Sequence, residues 1–325
     1  MSRSIQFIER VGLVLVFAAM VMYFTLDGQI GSLFLSAANL RDVLISGAVV
    51  GVISLAMLPP LIAGFFDLSV AAIAGVSCVA AASAISRFGV PLPAGIVIGI
   101  ACGVLLGTIN GFLVSRLGLN AFITTFGTYV LLGGLATWYT GGEQIVANIP
   151  ASVGAWSGES WLGVPRLFVV LVILSLVVWF ALAYLPWGRY LQAIGSNRAA
   201  ARLVGIRVDR TIFSAFVITG ALAGVAGVMQ LTIIGGADPT AAASYLFPAF
   251  AAVFLGATVI KPGRYNVWGT IIGVYFVGTA VSGLSLLGAQ NWVQPVFNGA
   301  ALLAAIALAT FLERVRTHRE AHPGR

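Results

Sequence analysis

Along this chain of 325 residues the apolar positions do not beat at the three-to-four residue spacing of soluble amphipathic helices. They come in runs of about twenty, separated by short polar breaks, from one end to the other. A helix rising 1.5 Å per residue needs about 20 apolar residues to cross the hydrocarbon of a bilayer, whereas runs of about 10–14 suit a soluble core. Ten such runs fit, at about 11–26, 43–64, 68–86, 93–114, 121–140, 164–185, 211–233, 244–260, 267–286 and 293–312. The pattern predicts an all-α integral membrane protein of about ten transmembrane helices, forming a single transmembrane domain over 1–325.

Composition agrees. The chain is 60% hydrophobic and only 8% charged, with a mean hydropathy of +1.04, against about 25% charged residues in a soluble protein. The net charge of +7 and pI of about 9.9 do not point to nucleic acid, because no basic face with interleaved aromatics accompanies them. Charge instead sets sidedness. With the N-terminus inside, 14 of the 17 Lys and Arg residues fall on the inner side, and Arg41, Arg87 and Arg166 fall outside. That asymmetry follows the positive-inside rule, and losing one span would scramble it. Both termini are therefore expected in the cytoplasm. The segment from Arg3 to Leu26 superficially resembles a signal peptide, but no small-x-small cleavage site follows, so it is read as the first helix.

Spans two to five and seven to ten run in opposite senses, the order an inverted repeat would have. Glycines three or four apart recur inside spans, as at Gly95/Gly99/Gly103/Gly107/Gly111, Gly220/Gly224/Gly227 and Gly269/Gly273, and predict close helix packing with room for a dimer face. Cys78 and Cys102 lie in apolar runs without CxxC spacing and read as inert core residues.

The chemistry expected of an engine is missing. His318 and His322 both sit in the tail, no Walker loop occurs, and the span interiors hold essentially no charge for a proton relay. No catalytic residue, metal site or cofactor is expected. The alternative to a partner-driven device is a stand-alone sodium-coupled secondary transporter using carbonyls and hydroxyls.

The polar loop over 187–210 supplies the candidate link to such a partner. Gly195 is expected to break the chain, Ser196 or Asn197 to cap a helix, and Gly205 to stop it in the left-handed conformation. The helix would be about eight residues long, with Arg198 and Arg202 on one face and Ala199, Ala200, Leu203 and Ile206 offering a small apolar surface. Contact with anionic lipid is the simpler alternative for this helix.

The stretch Gly188-Arg189…Ala193-Ile194-Gly195-Ser196-Asn197…Ala199-Ala200…Arg202-Leu203-Val204-Gly205-Ile206 resembles the cytoplasmic loop of ribose-type ABC importer permeases, the sugar branch with ribose, xylose, galactose and autoinducer-2 systems. Asp67-Leu68-Ser69-Val70, Asn110-Gly111, Phe122-Ile123-Thr124-Thr125-Phe126-Gly127-Thr128, Gly269-Thr270…Gly273 and Gly283-Leu284…Leu287-Gly288 are similar to the same family in order along the chain. It departs from the family at Gly64-Phe65-Phe66, Ala71-Ala72, Leu246-Phe247-Pro248-Ala249 and Lys261-Pro262-Gly263-Arg264-Tyr265-Asn266. The resemblance implies a type II ABC importer permease in the bacterial inner membrane. Its implied partners are cytoplasmic ATP-binding subunits pushing on 196–206, an external sugar-binding protein and a second permease.

Path candidates are the uncharged polar residues inside spans, Asn110, Thr124, Thr125, Thr128, Gln230 and Asn298, each of which could equally bridge helices. Asp67 reads as the N-cap of the third span, helped by Ser69. Pro59-Pro60 should break or kink the second span and place 59–69 near the path. Phe65, Phe66 and Phe247 are candidates for an apolar gate, with packing as their default role.

Overall fold

The computed structural model describes residues 3–304, Asn291 excepted, together with 306–307, and their side chains from Val11 on, Ala242 excepted. The four arginines after Leu312, both histidines and the end of the tenth run lie outside the described residues. The chain is helical almost throughout: α1 (Arg3–Leu26), α2 (Gly31–Phe34), α3 (Ala37–Ile62), α4 (Val70–Ser86), α5 (Leu92–Ser115), α6 (Ala121–Thr140), α7 (Ala151–Gly158), α8 (Arg166–Ala183), α9 (Pro186–Ser196), α10 (Arg198–Leu203), α11 (Val208–Ile234), α12 (Leu246–Gly256), α13 (Val267–Leu286) and α14 (Val293–Ala304). Among the described residues each of the ten apolar runs contains a helix, though α12 ends at Gly256, short of the end of the eighth run. Six of these, α3, α5, α6, α8, α11 and α13, are long and apolar enough to cross a membrane, while the apolar stretches Val11–Leu26, Val70–Ser86, Ala243–Gly256 and Val293–Ala304 are shorter.

The chain divides into two compact units. In the unit from Ala48 to Leu246, α4 is buried on almost every side, which is what a helix apolar all round requires. It packs on α5, α6 and α11. The seam between α5 and α11 is built by glycine: a Cβ on Gly103 would sit 2.4 Å from the carbonyl oxygen of Gly220, and one on Gly107 would sit 2.5 Å from that of Phe216. Backbone lies on both sides of the seam, so neither helix can yield to a larger side chain. On α11, Gly227 meets the Ala74 carbonyl of α4 in the same way.

The prolines do not break α3. Both lie inside the helix, which continues to Ile62. Pro60 lacks the N–H that would have reached the Ala56 carbonyl. Thr219 of α11 donates its hydroxyl to that carbonyl instead, at 2.8 Å. The freed acceptor is thus satisfied by a neighbouring helix.

Two features were not anticipated. A two-stranded antiparallel hairpin, β1 (Ser160–Trp161) and β2 (Val164–Pro165), precedes α8. Arg166 anchors its base, ion-paired to Glu159 and placed against the rings of Trp156 and Trp161. Farther along, Ile145 and Ala237 form a β-bridge beside a 3.0 Å hydrogen bond from Gln144 to Asp238.

The other unit comprises the described residues up to Gly47 and from Phe247 on. Phe24, Ile30 and Phe34 form its buried cluster against Leu284 and Leu286, with Gly283 making room for the Phe24 ring. Asn266 caps α13 by accepting from Gly269 N–H at 2.7 Å. Ser282 on α13 donates to Asn39 at 2.7 Å.

Candidate functional site

Two sets of residues expected to carry function lie in the larger unit. The first surrounds the irregular stretch 65–69 between α3 and α4. Asp67 and Ser69 are buried there. Asp67 is not the N-cap of α4; Ser69 occupies that position, with αR backbone and no side-chain capping bond. Asp67 Oδ1 instead accepts from the backbone N–H of Ser69 at 2.9 Å and from its hydroxyl. Ser69 Oγ accepts from Asn110 Nδ2 of α5 at 2.8 Å, and Asn110 Oδ1 accepts from Thr128 Oγ1 of α6 at 2.8 Å. Every donor in this relay points toward the carboxylate, an arrangement in which each bond polarises the next.

Thr125 completes the arrangement. Its hydroxyl oxygen accepts from Leu68 N–H at 3.1 Å and so fixes the irregular backbone to α6. Thr124 contributes its carbonyl, which accepts from Thr128 at 2.9 Å. Asn110 and Thr128 are therefore joined to Asp67 through Ser69, while Thr125 holds the adjoining backbone and Thr124 takes part only through its carbonyl within α6. Oδ2 of Asp67 has no hydrogen-bond partner among the described residues. Burial pushes its carboxyl up from 3.8 to about 6, against the two bonds from Ser69 that favour the charged form.

Gln230 does not join this network. It is buried on α11 with both amide atoms unpartnered among the described residues, and Asn298, buried on α14 in the other unit, has an unpartnered Oδ1. Phe66 and Phe247 are exposed and Phe65 is partly buried.

The second set is the polar segment. Gly195 does not break the chain. It lies within α9, started by Pro186 in the first turn, and it is small because a Cβ there would collide with the Ile62 carbonyl at the end of α3. Asn197 is the cap, accepting from Ala200 N–H at 2.9 Å. The helix it starts, α10, spans six residues rather than about eight, and Gly205 follows with φ +84°. Ser196 ends α9. Ala199, Ala200 and Leu203 are exposed, and Ile206 is partly buried.

Neither arginine of α10 is idle. Arg202 pairs with Asp209 at 3.0 Å, and the Arg198 guanidinium lies 5.0 Å from the centre of the Phe65 ring. Phe65 belongs to the same irregular stretch as Asp67. The exposed face of α10 is thus joined, through Arg198 and Gly195, to the end of α3 and to the segment that carries the buried relay. That link was not legible in the sequence, because Phe65 and Arg198 are far apart in the chain and neither carries a motif. Nor did the hydrophobic pattern point to Trp187, Arg207 and Arg210, which line a cavity beside α11.

Comparison with known proteins gives the relatives of this arrangement. The profile of the family described as "Branched-chain amino acid transport system / permease component" matches residues 39–306. The chain is 32% identical to the ribose import permease protein RbsC of Haemophilus influenzae, over 91% of this chain and 92% of that one. It is 35% identical to RbsC of Bacillus subtilis over 85% of both chains. Against the fructose import permease protein FrcC of Rhizobium meliloti the identity is 30%, over 88% of this chain and 81% of the relative.

Proposed function

This chain belongs to the branched-chain amino acid transport system / permease component family, and from that premise we propose that it is the membrane-spanning subunit of an ATP-driven importer for a monosaccharide or related sugar. It is a multi-pass membrane protein whose curated relatives are sugar import permeases. The working assembly in this reading has two permeases, cytoplasmic ATP-binding subunits and an external sugar-binding protein, in a bacterial inner membrane. All ten apolar helices are membrane-embedded as one domain, with both termini cytoplasmic. The arginine asymmetry supports this topology.

The observation that carries the mechanism is the contact of Arg198 with Phe65, seconded by Gly195 against Ile62. In our reading, Ser196 to Ile206 receive the push of the ATPase and pass it to the 64–69 stretch. Asp67, Asn110, Thr125 and Thr128 hold that stretch to α5 and α6, with Thr124, Gln230 and Asn298 on the path. A path without strong charges suits an importer whose selectivity resides in the binding protein.

The test is uptake into proteoliposomes containing the permease, its ATPase and the sugar-binding protein. Transport should require ATP and be lowered by Arg198→Glu/Arg202→Glu, with weaker co-purification of the ATPase and normal membrane insertion. Uptake driven by a sodium gradient without ATP would overturn the proposal. Undiminished uptake in the double variant would remove the coupling role of α10.

A further inference from the structure

Beside the start of α11 lies an open cavity of about 470 Å³, walled by Trp187, Tyr190, Arg207, Arg210, Thr211 and Ser214 and bordered by Gly205 and Ile206 of the coupling segment. Its volume is that of a small-ligand site. We propose that it binds a phosphate-bearing anion through Arg207 and Arg210.

The charge arrangement points that way. Asp209 lies between the two arginines in sequence, yet it pairs with Arg202 of α10 at 3.0 Å. Among the described residues no carboxylate pairs with Arg207 or Arg210. Both sit at the N-terminal end of the 27-residue α11, where the helix macrodipole already presents positive charge and cations are disfavoured. An anion held there would relieve both repulsions together. Guanidinium groups suit phosphate because their planar N–H donors can pair with two oxygens at once.

The remaining wall selects against a bare ion. The Trp187 indole donates to Ser214 Oγ at 2.9 Å, Ser214 donates to the Thr211 carbonyl, and Thr211 donates to the Arg207 carbonyl. The indole hydrogen is spent on joining α9 to α11 and the two hydroxyl hydrogens on the α11 backbone, so the Trp187 ring offers mainly apolar surface. A phosphate carrying an organic tail fits such a wall. Two sources share this chemistry: the headgroup of an anionic phospholipid, in the inner leaflet on the sidedness proposed above, and a soluble organic phosphate.

The experiment uses the full-length chain in detergent with equal amounts of phosphatidylglycerol and phosphatidylcholine, read by native mass spectrometry. Phosphatidylglycerol should be retained selectively, and Arg207→Gln/Arg210→Gln should weaken its retention about thirty-fold. Arg189→Gln, an exposed arginine of α9 outside the cavity lining, should leave it unchanged. Titration with sn-glycerol 3-phosphate separates the sources: displacement of the lipid, with a rise in melting temperature of the unaltered chain, assigns the site to soluble phosphates as well, whereas no displacement assigns it to lipid. Equal retention by the double variant, or equal loss with Arg189→Gln, overturns the proposal and leaves only diffuse surface charge.

Discussion

Thr219→Val removes the hydroxyl that satisfies the Ala56 carbonyl while keeping nearly the same shape. In the native chain that carbonyl has lost its helical donor to Pro60, so the substitution leaves a buried acceptor without a partner. Such a group costs about 1–3 kcal/mol, and polar contacts between membrane helices are worth about 0.6 kcal/mol on average, at most about 1.7. A loss of about 1–1.5 kcal/mol is expected. Pro60→Ala restores the N–H four residues on from Ala56, and in that background Thr219→Val should cost no more than about 0.5 kcal/mol, because the helix supplies the donor itself. The coupling energy of the cycle is therefore about 1 kcal/mol. It can be read from unfolding in mixed micelles, followed by the fluorescence of the seven tryptophans. Identical cost of Thr219→Val in both backgrounds would refute the account of how α3 tolerates its prolines.

Asp67→Asn should keep the Ser69 bonds and most transport. A carboxyl whose pKa is raised from 3.8 to about 6 on folding favours the fold below pH 4 and loses that contribution as pH rises through 6. The parent should therefore lose up to about 3 kcal/mol across that window, and the Asn variant should lack that part of the loss in melting curves. Gly103→Ala, which sets a Cβ 2.4 Å from the Gly220 carbonyl oxygen, should destabilise by about 3 kcal/mol. Gly127→Ala, in open space on α6, should stabilise by up to about 1 kcal/mol in the same unfolding assay. For sidedness, Leu162→Cys at the fully exposed hairpin tip should react with an impermeant thiol reagent on intact cells, and Ala199→Cys should not; labelling of Ala199→Cys would reverse the topology.

The helices were legible because their signal is local. A run of apolar residues declares a membrane helix without knowledge of its neighbours, and Asn197 and Gly205 announce the ends of α10 by chemistry that acts within one turn. Where tertiary contacts decide, local reading went astray. Gly195 looks like a breaker until the Ile62 carbonyl is seen pressing on it, and Pro60 looks like the end of a helix until Thr219 is found at its freed acceptor. Asp67 looks like a cap because Asp is a good one, but Ser69 stands one residue before the helix and takes the position. The polar residues of α5 and α6 were identifiable as a group, since an uncharged polar side chain in an apolar run needs a partner. Their linkage in a chain that ends on Ser69 was not, because nothing in the spacing of Asn110 and Thr128 says that the one bonds the other and that Asn110 reaches the start of α4. The hairpin before α8 had only Gly163 and Pro165 to suggest it.

The glycine seam has a mechanical consequence. Helices that touch through backbone at Gly103, Gly107, Gly220 and Gly224 have a single meshing position, since a slip by one residue would drive side chains such as Val104, Leu106, Thr219 or Val225 into the space left for a hydrogen. Thr219 on Ala56 and Gly227 on Ala74 fix α3 and α4 to the same body. Sliding is thereby removed from the degrees of freedom of this core. The connections at 116–120 and 204–207 lack such meshing, with open space around Gly118 and Gly205, whereas 65–69 is tied down by its hydrogen bonds; those two connections are the places where this unit is free to turn.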